Sequence, residues 1–207
     1  TAYAAASQML GLFQMAESNW DAAAETFYNR YQAAPENRNN SLRLATEAYV
    51  EKAQTALEQN KSDAAINAIE QALALYTDQS NPDQLNSRTQ LRMMQAQIYT
   101  RFGDFDSAVT RLESILREQP NYQQARIALA SLYAAKENWA GLNTIIQPLE
   151  KDPKFSDIAL YFEGRHAYAL GRAGSARSKF ETALDQLPEG PNPLRPTLHF
   201  YRAACLE

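Results

Sequence analysis

Apolar positions along the chain recur at steps of three and four, the spacing of one helical face. The stretch Thr89–Tyr122 shows it most plainly. Met93, Ala96, Tyr99 and Thr100 mark a first helix, and Gly103-Asp104 breaks the pattern. Phe105 opens a second helix with Ala108, Leu112, Ile115 and Leu116 on its apolar side, and Pro120 stops it. Proline lacks the amide hydrogen and disfavours helical geometry in the residue before it. Two helices this short cannot bury their apolar faces alone, so the unit has to stack against copies of itself.

Copies are present. Ala96, Ala108 and Pro120 follow one another at a constant interval, and the same interval separates Gly11, Ala23 and Pro35, and again Gly164, Ala176 and Pro188. Ala53, Ala65 and Thr77 form a partial version, and Ala130, Leu142 and Lys154 a weaker one with Pro153 a residue early. Small residues at a helix crossing let two backbones approach closely, and proline resets the chain for the next pair.

With these residues the chain resembles the tetratricopeptide repeat family, whose unit is a helix–turn–helix of roughly 34 residues. The matching positions are Leu10, Gly11, Trp20, Ala23, Phe27 and Pro35, then Tyr49, Ala53, Ala65, Ile69 and Ala72. The third copy gives Ala96, Tyr99, Gly103, Phe105, Ala108 and Pro120, and the fourth Leu129, Ala130, Tyr133 and Trp139. Gly164, Gly171, Ala176, Phe180, Ala183 and Pro188 mark the fifth. The fold expected is all-α: a right-handed α-solenoid of about five repeats plus a C-terminal capping or partial-repeat helix. Residues 1–207 are read as a single domain, with repeats near 4–37, 46–79, 89–122, 123–156 and 157–190 and a last helix near 195–207.

The first two intervals, Gly11 to Ala53 and Ala53 to Ala96, exceed the regular unit by eight and nine residues. They predict lengthened helices at 42–59, with Ser41 as N-cap, and at 83–102. Such extensions are either plain helix lengthening or a protruding lip for docking. In the fourth copy Gly141 and Pro148 fall inside the expected second helix, which should be short or kinked there.

Composition narrows function mainly by exclusion. Charged residues make up 21% of the chain and the net charge is −4, without the basic balance of a nucleic-acid binder. No apolar run reaches the roughly 20 residues of a membrane span. Cys205 is the single cysteine, so no internal disulfide forms. The chain starts at Thr1 without a signal peptide, as a fragment or processed form would. Six lysines against fourteen arginines and abundant glutamine read as bacterial; periplasm and cytoplasm both stay open.

Catalytic chemistry has few residues to work with. His166 and His199 stand at no metal-ligand spacing with each other or Cys205, and His166 reads as a surface or core-edge histidine. His199 and Cys205 fall on different helical faces, so they form no nucleophile pair. Glu47, Glu51 and Glu58 recur as a solvated helical face does. No Gly-rich phosphate loop appears. The reading is a protein that is not an enzyme and needs neither metal nor cofactor.

Binding remains. The family resemblance implies a concave groove lined by the first helices of successive repeats. Its partner-binding residues would be Gln54, Gln90, Met93, Gln97, Ile127, Ser131, Tyr161, Arg165 and Tyr168, with Gln8, Leu12, Val50 and Gln124 on the same surface. Met93, Ile127 and Tyr161 fit equally well half-buried between helices. Chaperone-binding relatives hold a terminal carboxylate with lysine, arginine and asparagine here. This chain offers mostly glutamine and apolar residues, with Arg165 alone basic. The expected partner is therefore a protein or peptide segment, extended or helical, with apolar and amide-rich side chains.

Three function classes follow. The first is an interaction scaffold binding a partner segment in the groove. The second is an accessory domain of a larger bacterial envelope assembly or secretion protein, self-associating through exposed Leu198 and Phe200 of the C-terminal helix. The third is a regulatory domain attached to a catalytic one.

Overall fold

A computed structural model describes residues 2–33, 38–78 and 81–206. Pro35, the ends of the first two expected repeats at 37 and 79, and Glu207 lie outside them. The described residues form α-helices joined by short turns, with no strand among them. In order these are α1 (Ala2–Ala16), α2 (Trp20–Ala33), α3 (Arg38–Glu58), α4 (Ser62–Ala74), α5 (Pro82–Arg101) and α6 (Phe105–Glu118). They continue as α7 (Gln123–Ala135), α8 (Trp139–Glu150), α9 (Ser156–Ala169), α10 (Ala173–Gln186) and α11 (Leu194–Ala204). The chain divides into two compact units, residues 1–111 and 112–207, with the division inside α6.

The turn within each helix pair repeats one backbone device. Ser18, Asn60, Gly103, Glu137 and Gly171 all adopt left-handed φ values, of 58, 56, 82, 55 and 70°. They are spaced by the same unequal intervals as Gly11, Ala53, Ala96, Ala130 and Gly164. The amide that follows reaches back to close the helix: Asn19 to the Gln14 carbonyl (2.8 Å), Lys61 to Ala56 (2.9 Å) and Asp104 to Tyr99 (2.9 Å). Asn138 to Tyr133 (2.8 Å) and Arg172 to Ala167 (2.9 Å) complete the set. This six-to-one bond satisfies a carbonyl that the helix end leaves free.

In the first unit, α1 meets α2 where Gly11 lies under Phe27; a Cβ on Gly11 would come within 2.5 Å of the ring. Ala23, Ala24 and Phe27 of α2 then pack against Leu42, Leu44, Ala45 and Ala48 of α3. Ala53 and Ala56 of α3 meet Ala65, Ala68, Ile69 and Ala72 of α4, which also receive Leu91 and Ile98 of α5. Both long first helices are present. α3 has 21 residues and α5 has 20, and α5 starts at Pro82 behind Asn81, whose side chain accepts the Asp83 amide at 2.9 Å.

Ser41 is not the N-cap of α3. The helix starts earlier, at Arg38, whose guanidinium lies over the Tyr31 ring and donates to the Tyr31 carbonyl. Ser41 is thus a helical residue, fully buried in line with Ala45 and Ala48, and its hydroxyl finds no partner among the described residues. Its smallness at a tight crossing explains the residue better than its oxygen does.

In the second unit, Ala130 and Ala134 of α7, Leu142, Ile146 and Leu149 of α8, and Ala159 and Phe162 of α9 share one core. α8 spans 12 residues and keeps Pro148 in its last turn. Gly141 sits in its first turn, where its amide is capped by Asn138 Oδ1 at 3.0 Å and a Cβ would crowd that same side chain. Gly164 of α9 lies 2.5 Å (to a built Cβ) from the Phe180 ring of α10, the same arrangement as Gly11 under Phe27. α11 closes this unit by packing on α10. Leu198 is fully buried there, in the core of Ala176, Phe180, Ala183 and Leu187, as a capping helix requires and unlike the exposed Leu198 of the accessory-domain reading. Phe200 does stay exposed.

Candidate functional site

Within the first unit, α3 and α5 leave a cleft of about 290 Å³ between them. Val50, Ala53, Gln54 and Leu57 line one wall, and Met94, Gln97, Ile98 and Arg101 the other. Both sets follow the i, i+3, i+4, i+7 spacing of a single helix face. Ala53 and Ile98 are core residues, whereas Gln54 and Gln97 are exposed at the rim. Each glutamine side chain presents a carbonyl acceptor and an amide donor.

Two of the expected residues, Gln54 and Gln97, therefore meet at one cleft. Gln90 lies on the same face of α5, four residues before Met94 and outside the cleft lining. Met93 is half-buried on the adjoining face, and Met94 takes the place in the cleft. Leu57, Met94 and Arg101 were missing from the sequence reading. The signal for them was available, since they complete the helical spacing around Gln54 and Gln97.

In the second unit, Ile127 and Tyr161 are half-buried and flank the same core. Ser131 is exposed, with its hydroxyl donating to the Ile127 carbonyl of its own helix at 3.0 Å. Tyr161, Arg165 and Tyr168 of α9 converge on Tyr201 of α11. The Arg165 guanidinium lies 5.9 Å from the Tyr161 ring and 5.5 Å from that of Tyr201. Tyr201 is also edge-on to Tyr161 (6.1 Å) and Tyr168 (6.0 Å) and stacks on Phe180 (5.5 Å). Burial pushes the Tyr161 phenol above its ordinary range, and the Arg165 charge opposes it.

His166 is half-buried and stacks on Trp139, with Nδ1 3.1 Å from Asn143 Oδ1. Cys205 is half-buried against the α10 core, and burial raises its thiol pKa. Glu47 and Glu58 are exposed and Glu51 half-buried; Glu47 pairs with Arg43 at 2.7 Å. No helix among the described residues is long and apolar enough to cross a membrane.

Residues 3–139, more than half the chain, match the family model of the tetratricopeptide repeat protein 21 ARM repeat. The chain belongs to the tetratricopeptide repeat family. Solved structures agree on the fold. A tetratricopeptide repeat protein from Parabacteroides merdae superposes with a TM-score of 0.64 at 16% identity, over 99% of this chain and 73% of that one. The C-terminal part of a repeat-containing protein from Cytophaga hutchinsonii gives 0.53 at 19% identity, over 95% and 69%. MamA gives 0.52 at 15% identity, over 91% and 98%. No curated protein sequence matches significantly. Tetratricopeptide repeats generally mediate protein–protein interaction and generally carry no catalysis of their own.

Proposed function

We propose that this chain is a non-enzymatic interaction scaffold that binds a partner segment along the groove face of its first helices. The observation that supports this best is the α3–α5 cleft, because it gathers apolar walls and paired amides at one place. Val50, Leu57, Met94 and Ile98 can enclose one large apolar side chain. Methionine there adapts its shape to different occupants. Gln54 and Gln97 can each give one donor and one acceptor to the peptide groups of an extended segment. The ligand this reading expects is an extended peptide with an apolar anchor. The Tyr161, Arg165 and Tyr168 face of the second unit is read as a second contact surface for protein partners, since tyrosine and arginine dominate interface energetics.

Selection of peptides from a random library on the purified chain tests the reading. Selected peptides should share an apolar anchor and lose at least about tenfold in affinity for Leu57→Arg, measured by fluorescence anisotropy. Peptides that bind Leu57→Arg as well as the wild type would remove the cleft from the site.

A further inference from the structure

Arg165 is a guanidinium held in place without an acid. It lies against the Tyr161 and Tyr201 rings, at 5.9 and 5.5 Å, and hydrogen-bonds the Tyr161 phenol. Lys52, Arg111, Arg177 and Lys179 each meet a carboxylate. None among the described residues pairs with Arg165, which is only half-buried. A guanidinium carries five N–H donors, more than one phenol oxygen can take up.

Repeat register carries the same character onto α11. Leu198 stands where Gly164 stands one repeat earlier, so Arg195, His199 and Arg202 correspond to Tyr161, Arg165 and Tyr168. The groove face of the second unit thus gathers three arginines and a histidine on two helices that meet at Tyr201. No carboxylate among the described residues pairs with Arg195, His199 or Arg202. Helix α11 has no acidic residue from Leu194 to Ala204. Of the two acids in α9, Glu163 is taken by Lys179, and Asp157 accepts the Ile158 amide at 2.8 Å in the first turn. This positive face belongs to a chain whose net charge is −4.

Resting on the reading of this face as a contact surface, we propose that it docks an acidic segment of a protein partner. Arg165 takes a side-chain carboxylate, and the Tyr168 ring, 40% exposed, takes an adjoining apolar side chain. Charge complementarity selects this occupant. A guanidinium fixed by aromatic rings matches a planar carboxylate with paired hydrogen bonds, and little ordering is left to lose on binding. Arg195, His199 and Arg202 draw an acidic segment and repel a basic one. A single chain terminus would use one of these groups. An extended segment covers about 10 Å in three residues, enough to pass from Arg165 over Tyr201 towards Arg202.

Fluorescence anisotropy with three labelled peptides, each blocked at both termini, tests this. One is a short run of glutamates around a single phenylalanine; the others carry glutamine or lysine in place of every glutamate. The acidic peptide should bind at least about tenfold more tightly than either, and added salt should weaken it. Arg165→Gln should cost it at least about tenfold. Arg165→Lys should cost less, because the charge stays while the paired donors go. Arg202→Gln, which leaves the Arg165 stack in place, should also weaken binding. Arg177→Gln should not, since that cation already pairs with Glu181. Acidic and glutamine peptides that bind equally, and both need Arg165, overturn the acidic partner and keep the contact surface. Affinities indifferent to both Arg165→Gln and Arg202→Gln overturn the two together. An equal loss with Arg177→Gln means attraction to charge at large and overturns the proposal. So does an acidic peptide that stays unbound at about 1 mM.

Discussion

The faces of α3 and α9 occupy the same repeat positions and end differently. Counting from the crossing residue, Val50, Gln54 and Leu57 correspond to Tyr161, Arg165 and Tyr168. On α3 these positions carry an aliphatic, an amide and an aliphatic, and the seam towards α5 stays open as a cleft. On α9 they carry two tyrosines and an arginine, and Tyr201 of α11 reaches into the seam between their side chains. The backbone plan is shared. Side-chain size and the neighbouring helix decide whether the seam is an open cleft or is filled from within, leaving only its outer surface to a partner.

Phe180 is where this comparison breaks most easily. Its buried ring fills the space above Gly164 and carries the stacked Tyr201. Phe180→Ala should cost about 3–5 kcal/mol, measured by denaturant unfolding, and should loosen α11. A loss below about 1 kcal/mol would mean that Tyr201 is held by something other than this stack.

Gly11→Ala and Gly164→Ala come next. Each added methyl would meet a buried phenylalanine ring at 2.5 Å, so each should cost about 1–3 kcal/mol. Phe180→Leu combined with Gly164→Ala should recover part of the loss, since the smaller side chain leaves room for the methyl. Similar costs at the two glycines would show that the crossings are equivalent and leave the contrast to the outer faces. A strong mismatch would place the contrast in the crossings themselves.

The crossings were the legible part of the chain. Small residues at a fixed interval have to be read as close contacts, and Gly11, Ala53, Ala96, Ala130 and Gly164 gave the register directly. The turns were half legible. Gly103 and Gly171 announce left-handed backbone, but Ser18, Asn60 and Glu137 adopt it as well, at a strain of about 1–2 kcal/mol each that the helix packing must offset. The site was legible only by face. The family resemblance placed Gln54 and Gln97 on the inner face of their helices, and both line the α3–α5 cleft. Met94 rather than Met93 lines the cleft because neighbouring residues on a helix lie about 100° apart, too fine a distinction for periodicity alone. Tyr201 escaped because nothing along α9 indicates which residue of a later helix will fill its seam. Leu198 could be assigned no exposure from the sequence, because a tail helix can cap a core or stand open and only the core it enters decides.

Tyr133 sharpens the contrast through pH. The first helices of the second unit are rich in tyrosine, and the Tyr133 hydroxyl donates to Glu113 at 2.8 Å. Burial first, then the hydrogen bond and charge of Glu113, push its pKa up to about 12. A raised phenol binds its proton more tightly in the folded state than in the unfolded one. Its contribution is therefore complete below the ordinary tyrosine value of about 10 and is lost as pH rises through about 12. Tyr133→Phe should show a shallower fall of melting temperature than wild type across that window. Parallel curves would deny the phenol any part in alkaline unfolding.

The smallest expected effect on stability is also the most informative about the open seam. Gln54 and Gln97 are exposed, and among the described residues neither side-chain amide makes a hydrogen bond. Replacing both with alanine should shift stability by no more than about 0.5 kcal/mol, read by thermal melting. If the amides serve an incoming peptide backbone, the same double variant should bind cleft-selected peptides at least about tenfold more weakly. A melt as unchanged as predicted together with unchanged peptide affinity would leave the cleft only its apolar walls, and the contrast with α9 would then be one of packing alone. A large drop in stability would say instead that the glutamines brace α3 against α5, and that the open seam is held open by the fold.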